Sequence, residues 1–203
     1  MRFHFLFILF AFHFLNLQAA QDIITAEIEI YQKELSEKFS NPETSILYTE
    51  DLAVFEGLEF YPIDLSYRVE AVFVRTPNEK PFKMPTTTTR RPQYVKYGEA
   101  HFELKDKDHV LEIYQPLDRA PEYEDYLFLP FTDGTSGAGS YGGGRYMDLK
   151  IPENETIILD FNKTYNPYCA YNENYSCPLT PRQNHLRIPI YAGVKDFTSK
   201  KKP

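Results

Sequence analysis

The sequence predicts a mainly β fold, an antiparallel sandwich or partly open barrel, with one or two N-terminal α-helices. Three observations carry this. From Leu58 onward, apolar residues recur with a period of two in short runs separated by turn-forming residues. The 203 residues include 16 tyrosines, 16 phenylalanines and 15 prolines but no tryptophan, a load that favours strands and turns. Helical spacing of any length is confined to the stretch ahead of Leu58. With 42% apolar and 25% charged residues the composition is that of a globular chain. The length suffices for one domain with a real core.

The opening run MRFHFLFILFAFHFLNLQAA places one basic residue, Arg2, before an apolar stretch that ends in small residues. Its uninterrupted apolar part is shorter than the roughly 20 residues that span a bilayer. Residues 1–20 are therefore expected to be a signal peptide cleaved before Gln21, with a retained membrane anchor as the alternative. No cysteine stands near that cut, which excludes lipid attachment there. The remainder is expected to be extracytoplasmic, periplasmic or secreted, with no further membrane span.

Residues 21–57 read as a helical segment. Ile24, Ile28, Tyr31, Leu35 and Phe39 recur at helical spacing, with acids and lysines on the other face. Asn41-Pro42 stops this helix over 22–39, because proline restricts the residue before it. Thr49 is a candidate cap for a short second helix, with Glu50 and Asp51 in its first turn and Gly57 beyond its end.

Residues 58–197 are expected to form a single β-rich domain. YRVEAVFVR (67–75), QYVKY (93–97), AHFELK (100–105) and HVLEIYQ (109–115) alternate or nearly so, and KDKD between the last two is a polar hairpin connection. EDYLFLPF (124–131) and ETIILDF (155–161) are denser and suit strands buried on both faces. RYMDLKI, starting at Arg145, is strand-like. HLRIPIYAG (185–193) is expected to close the sheet, with Pro189 pushing it to an edge or bulge. The basic tail, 198–203, reads as solvated. The net charge is −7, and removing residues 1–20 takes away Arg2 and no acid. An acidic surface argues against nucleic acid as a partner.

Six of the nine glycines fall between Gly134 and Gly144, in the segment that ends YGGGRYMDL. A nucleotide-binding loop needs a lysine followed by serine or threonine at the start of a helix. Here Arg145-Tyr146 and a strand-like run follow, so that reading fails. What remains is a strand–loop–strand unit whose glycines supply positive φ or a close approach of chain segments. It is either a wide hairpin or a loop presenting Tyr141 and Arg145 beside Asp133. Arginine offers a planar fork of donors for a carboxylate or phosphate.

The second dense stretch is LDFNKTYNPYCAYNENYSCPLTP (159–181). It holds the only two cysteines, Cys169 and Cys177, which an oxidising compartment is expected to join as a disulfide. Zinc would need three or four ligands, and His101, His109 and His185 stand at no convincing ligand spacing to them. A cysteine nucleophile would have only His185 as a base nearby in sequence. Asp160 and Asn162, at the end of an apolar strand, either form a turn or line a site. No metal or cofactor is expected.

These two segments, together with FEGLEFYPIDLSYRVEAVFVRTP upstream and AGVKDF downstream, resemble a bacterial and archaeal family catalogued as domain of unknown function 1684. The resemblance covers about residues 50–197 and is to the shorter form of the family. It rests on Tyr141, Gly142, Gly144, Arg145, Asp160, Asn162, Tyr165, Asn166, Pro167, Cys169 and Cys177. Two departures matter. Gly139 and Ser140 stand where relatives carry Glu-Thr, and His185 stands where relatives often carry arginine. The resemblance implies no activity.

The leading reading is a small-ligand binding or interaction module with its site where the glycine-rich loop meets the 160–177 segment. Arg145, next to Gly144, would bind a polar or anionic group. Tyr141 and Tyr165 would stack on or hydrogen-bond the ligand, and Asp160, Asn162 and Asn166 would orient it. The alternative is a hydrolase using Asp133 and Asp160 as acid and base, with Arg145 stabilising negative charge. A third reading is structural: Arg145 and Asp160 form a buried pair that locks the two loops together.

Overall fold

The computed structural model describes the backbone of residues 2–197 and the side chains from Gln18 onward. The expected basic tail, 198–203, lies outside the described residues. Helix α1 spans Arg2–Ser40, so helical backbone runs through the expected cleavage point and reaches the predicted stop at Asn41. The predicted stripe faces inward: Ile28 and Phe39 are buried and Ile24, Tyr31 and Leu35 half-buried. Among the described residues no helix is long and apolar enough to cross a membrane. Helix α2, Thr49–Leu52, starts one residue earlier than its expected cap implies. Tyr48 occupies the N-cap with extended backbone and makes no side-chain cap bond, and Thr49 is the first helical residue.

Seven strands follow: β1 Arg68–Arg75, β2 Phe82–Lys83, β3 Gln93–Glu103, β4 Asp108–Pro116, β5 Tyr126–Phe131, β6 Arg145–Lys150 and β7 Thr156–Asp160. They form one antiparallel sheet in the order β6-β5-β4-β3-β1-β7, with the short β2 on β3, curled into a half-barrel. This is the partly open barrel of the sequence reading. QYVKY and AHFELK are one strand, not two. A register shift between Lys96 and Gly98 interrupts their alternation, as a β-bulge does. Gly98 is required there, because a Cβ would lie 2.6 Å from the Phe73 ring and 2.8 Å from the Val74 carbonyl oxygen. The β3–β4 turn is tighter than KDKD implied. Lys105 and Asp106, both at positive φ, form a two-residue hairpin closed by reciprocal Leu104–Lys107 bonds.

β5 is buried on both faces as expected, whereas β7 is not. It is an edge strand with Thr156 and Ile158 facing solvent, Ile158 at 37%. The principal core lies inside the curl. Ala100, Leu111, Ile113, Leu127, Leu129, Met147 and Leu159 pack there against Leu186, Ile188 and Ile190. The last three belong to the expected closing strand, 185–193, which alternates in burial but bends at 187–188 and joins no ladder. Its only bridge is a parallel one between His185 and Thr132. The physical reason is that Pro189 has no N–H to give and the carbonyls beyond it are bound by an arginine.

A candidate site at the meeting of two loops

That arginine is Arg145, the first residue of β6, whose side chain is 0% exposed. Its Nη2 donates to Asp133 Oδ2 at 2.9 Å and to the Ile190 carbonyl at 3.0 Å. Its Nη1 donates to the carbonyls of Ala192 and, at 3.4 Å, Val194. The Phe131 ring lies 5.4 Å from the guanidinium carbon. Asp133 is equally occupied. Its Oδ1 accepts from Thr135 N–H and Oγ1, both at 2.7 Å, and from Ile190 N–H at 3.0 Å. The glycine loop makes this clasp fit. Gly144 has φ +94°, and a Cβ there would lie 2.5 Å from the Phe131 carbonyl oxygen and 2.7 Å from Thr180 Oγ1. Arg145 is therefore turned inward onto protein groups, with no surface offered to a ligand.

Asp160 lies on a different element and pairs with a different cation, so the expected Arg145–Asp160 lock is an Arg145–Asp133 lock. Asp160 stands opposite Arg68 in the β1–β7 register, and its Oδ2 is 3.7 Å from Arg68 Nε. Its Oδ1 caps the turn Phe161–Lys163 by accepting from Asn162 N–H at 3.1 Å and Nδ2 at 3.0 Å. Asn162 is buried. It exchanges bonds with the Asp64 backbone at 3.0 and 3.1 Å, and its carbonyl accepts from Gln32 of α1 at 3.0 Å. Asn166 donates to the Lys195 carbonyl at 2.8 Å. Both acids of the hydrolase reading are buried, and each faces its own arginine, Arg145 for Asp133 and Arg68 for Asp160.

The tyrosines lead elsewhere. Tyr165 exchanges backbone bonds with Tyr146 at 2.8 and 3.1 Å, and its hydroxyl donates to Asp148 Oδ1 at 2.5 Å. Tyr126 donates to the same oxygen at 2.8 Å. Burial first, and then the Asp148 charge, push the Tyr126 and Tyr165 hydroxyls well above the usual range. Asp148 itself is exposed and lines a cleft of about 750 Å³ beside the β4–β5 connection. Pro116, Arg119, Tyr123, Tyr126 and Leu149 are among its other walls, and Tyr123 is 57% exposed. Arg119 Nε faces no recorded partner among the described residues. The sequence reading missed Asp148, Tyr126, Tyr123 and Arg119. A signal was present, since Asp148 interrupts the outward-facing positions of β6 directly opposite Phe128.

Tyr141 stands instead beside the cysteines, its hydroxyl 3.9 Å from Cys169 Sγ. Cys169 and Cys177 are free thiols in this structure, without the expected disulfide. The Cys169 N–H donates to Cys177 Sγ at 3.2 Å. His185 bonds Thr132 Oγ1 at 3.0 Å. Among the described residues no cluster of three or more metal-binding side chains is present.

The sequence model of the family described as "Protein of unknown function (DUF1684)" matches residues 53–195. A solution NMR structure of an uncharacterised protein from Haloarcula marismortui superposes with a TM-score of 0.68 at 31% identity, covering 88% of this chain and 96% of that one. No protein in the curated set matches.

Proposed function

The chain belongs to the DUF1684 family of proteins of unknown function, and from that premise we propose that it is an extracytoplasmic small-ligand binding module. Its ligand would seat in the cleft between the β4–β5 connection and β6. The observation that carries this reading is the make-up of the cleft: apolar walls from Pro116, Tyr123 and Leu149 stand beside several carboxylates, Asp148 among them. Ligand sites generally have that make-up. Both tyrosine hydroxyls bind Asp148 Oδ1, and the exposed residue has its second oxygen to offer a donor. Asp118, Glu122, Asp125 and Asp148 outnumber Arg119 and Lys150 around the cleft. The fitting ligand therefore has an apolar or aromatic body and a cationic or hydrogen-bond-donating end. Arg145, the residue that favoured an anion, is buried on protein groups.

Thermal shift of the full chain against aliphatic amines, aromatic amines and sugars tests the reading. A ligand at a hundred times its Kd stabilises by about 2.7 kcal/mol, about 5–10 °C in Tm for a domain of this size. The expected hit is an aromatic amine, with the shift abolished by Asp148→Asn and reduced by Tyr123→Ala. A screen without hits, or shifts untouched by Asp148→Asn, overturns it.

A further inference from the structure

We propose that Cys169 and Cys177 form a redox-active dithiol whose substrate is a small disulfide, with Cys169 the attacking thiol and Cys177 the resolving one. This site lies apart from the proposed ligand cleft, and the two stand or fall separately.

The geometry assigns the roles. Cys169 is half-buried and reachable from solvent, whereas Cys177 is buried, at 6% exposure. A sulfur that must meet a partner from outside has to be the exposed one, and a sulfur that only closes an internal bond need not be. The two are held close before any oxidation by the bond from the Cys169 N–H to Cys177 Sγ at 3.2 Å. The Tyr141 hydroxyl stands 3.9 Å from the Cys169 sulfur.

The surrounding chain does not need a cross-link. Thr87 N–H donates to the Cys177 carbonyl at 2.9 Å, Cys177 N–H to Thr87 Oγ1 at 3.1 Å, and Asn172 Nδ2 to the Ile46 carbonyl at 2.9 Å. The segment is thus in place with both thiols free. Interactions that stabilise the reduced pair make its disulfide a better oxidant, and so a reversible one. The hydrogen bond from Cys177, joined by Tyr141 and Thr87 and opposed by burial, holds the Cys169 thiol down at about 7. That same bond, with burial, pushes Cys177 up. Arg90 faces Cys177 and Asp196 faces Tyr141.

The reaction is thiol–disulfide exchange. The deprotonated Cys169 sulfur attacks one sulfur of the substrate. A mixed disulfide forms as the substrate S–S bond breaks, and the first thiolate leaves to take up the proton Cys169 gave up. Cys177 then attacks the Cys169 sulfur, its proton passing to the second departing thiolate. The protein loses two electrons and two protons, and one disulfide becomes two thiols.

The test uses the full chain, reduced and then challenged at neutral pH with bis(2-hydroxyethyl) disulfide, read by intact mass. Wild type should lose about 2 Da without retaining an adduct, and dithiothreitol should restore the mass without denaturant. Cys177→Ser should accumulate the mixed disulfide on Cys169, and Cys169→Ser should form its adduct at least about tenfold more slowly. Three results overturn the proposal: an unmodified wild type, equal adduct rates in the two serine variants, or a wild-type disulfide reducible only after unfolding. The first and last need no variant to fold.

Discussion

A guanidinium with no access to water must be met by the protein, and Arg145 is met on both terminal nitrogens by one carboxylate and three carbonyls. Removing one member of a buried pair strands the other, at a cost of about 3–5 kcal/mol. Arg145→Ala should therefore lower unfolding stability in urea by that amount. Arg145→Lys should recover only part of it, because an ammonium cannot fork across carbonyls so far apart. A loss under about 1 kcal/mol, typical of an exposed pair, would show that the clasp contributes little. The sequence marked Arg145 as the residue to follow and set Asp133 beside it in the loop reading, but the buried-pair reading chose Asp160. Asp133 and Asp160 look alike in sequence, each an acid after an apolar strand. What separates them is register: Asp160 stands across from Arg68 on β1, and Asp133 enters the curl beside residues 188–190. No residue pattern encodes that choice.

Among the elements, those with a strong period were legible and those defined by pairing were not. The stripe of α1, the edges of β1 and β4 and the doubly buried β5 follow from spacing alone. β2 is two residues long, too short to show a period. Residues 185–193 have the period of a strand without the ladder, because periodicity reports which way side chains point and is silent on where N–H and C=O groups go. Helix α1 docks through Ile28 and Phe39, the latter 2% exposed and set edge-on to Tyr171 with ring centroids 4.6 Å apart. Phe39→Ala should cost about 3–5 kcal/mol, read as a lower urea midpoint. A change below about 1 kcal/mol would mean that the helix rests on the sheet without contributing to its stability.

For the molecule as a whole, the aromatic excess has an electrostatic result. Burial raises the hydroxyls of Tyr31, Tyr94, Tyr114, Tyr126, Tyr146, Tyr165 and Tyr171, and that of Tyr141 to about 12. Their folded values lie above the unfolded value of 10.0, so their contribution is complete below pH 10 and is lost as pH rises through the folded values. Between pH 10 and its folded value, each tyrosine that ionises only on unfolding removes about 1.4 kcal/mol per pH unit. Tyrosinate absorbance should rise in one cooperative step that coincides with loss of far-ultraviolet circular dichroism. A gradual rise in a still-folded chain would contradict it. The high tyrosine count was legible as a β signature, but which face each ring takes depends on the curl of the sheet, and so the Asp148 cleft was not.

The Arg145 clasp also bears on the order in which the molecule can assemble. Its carbonyl acceptors lie 45–49 residues further along the chain, so β5 and β6 can pair while the guanidinium is met by Asp133 alone. A sheet complete in its ladders but lacking residues 190–194 would hold the Arg145–Asp133 pair on its inner face with the carbonyl-bound N–H groups left to water. The four hydrogen bonds of the clasp are complete only when the late segment arrives, which ties the packing of residues 190–194 to that of the β5–β6 hairpin.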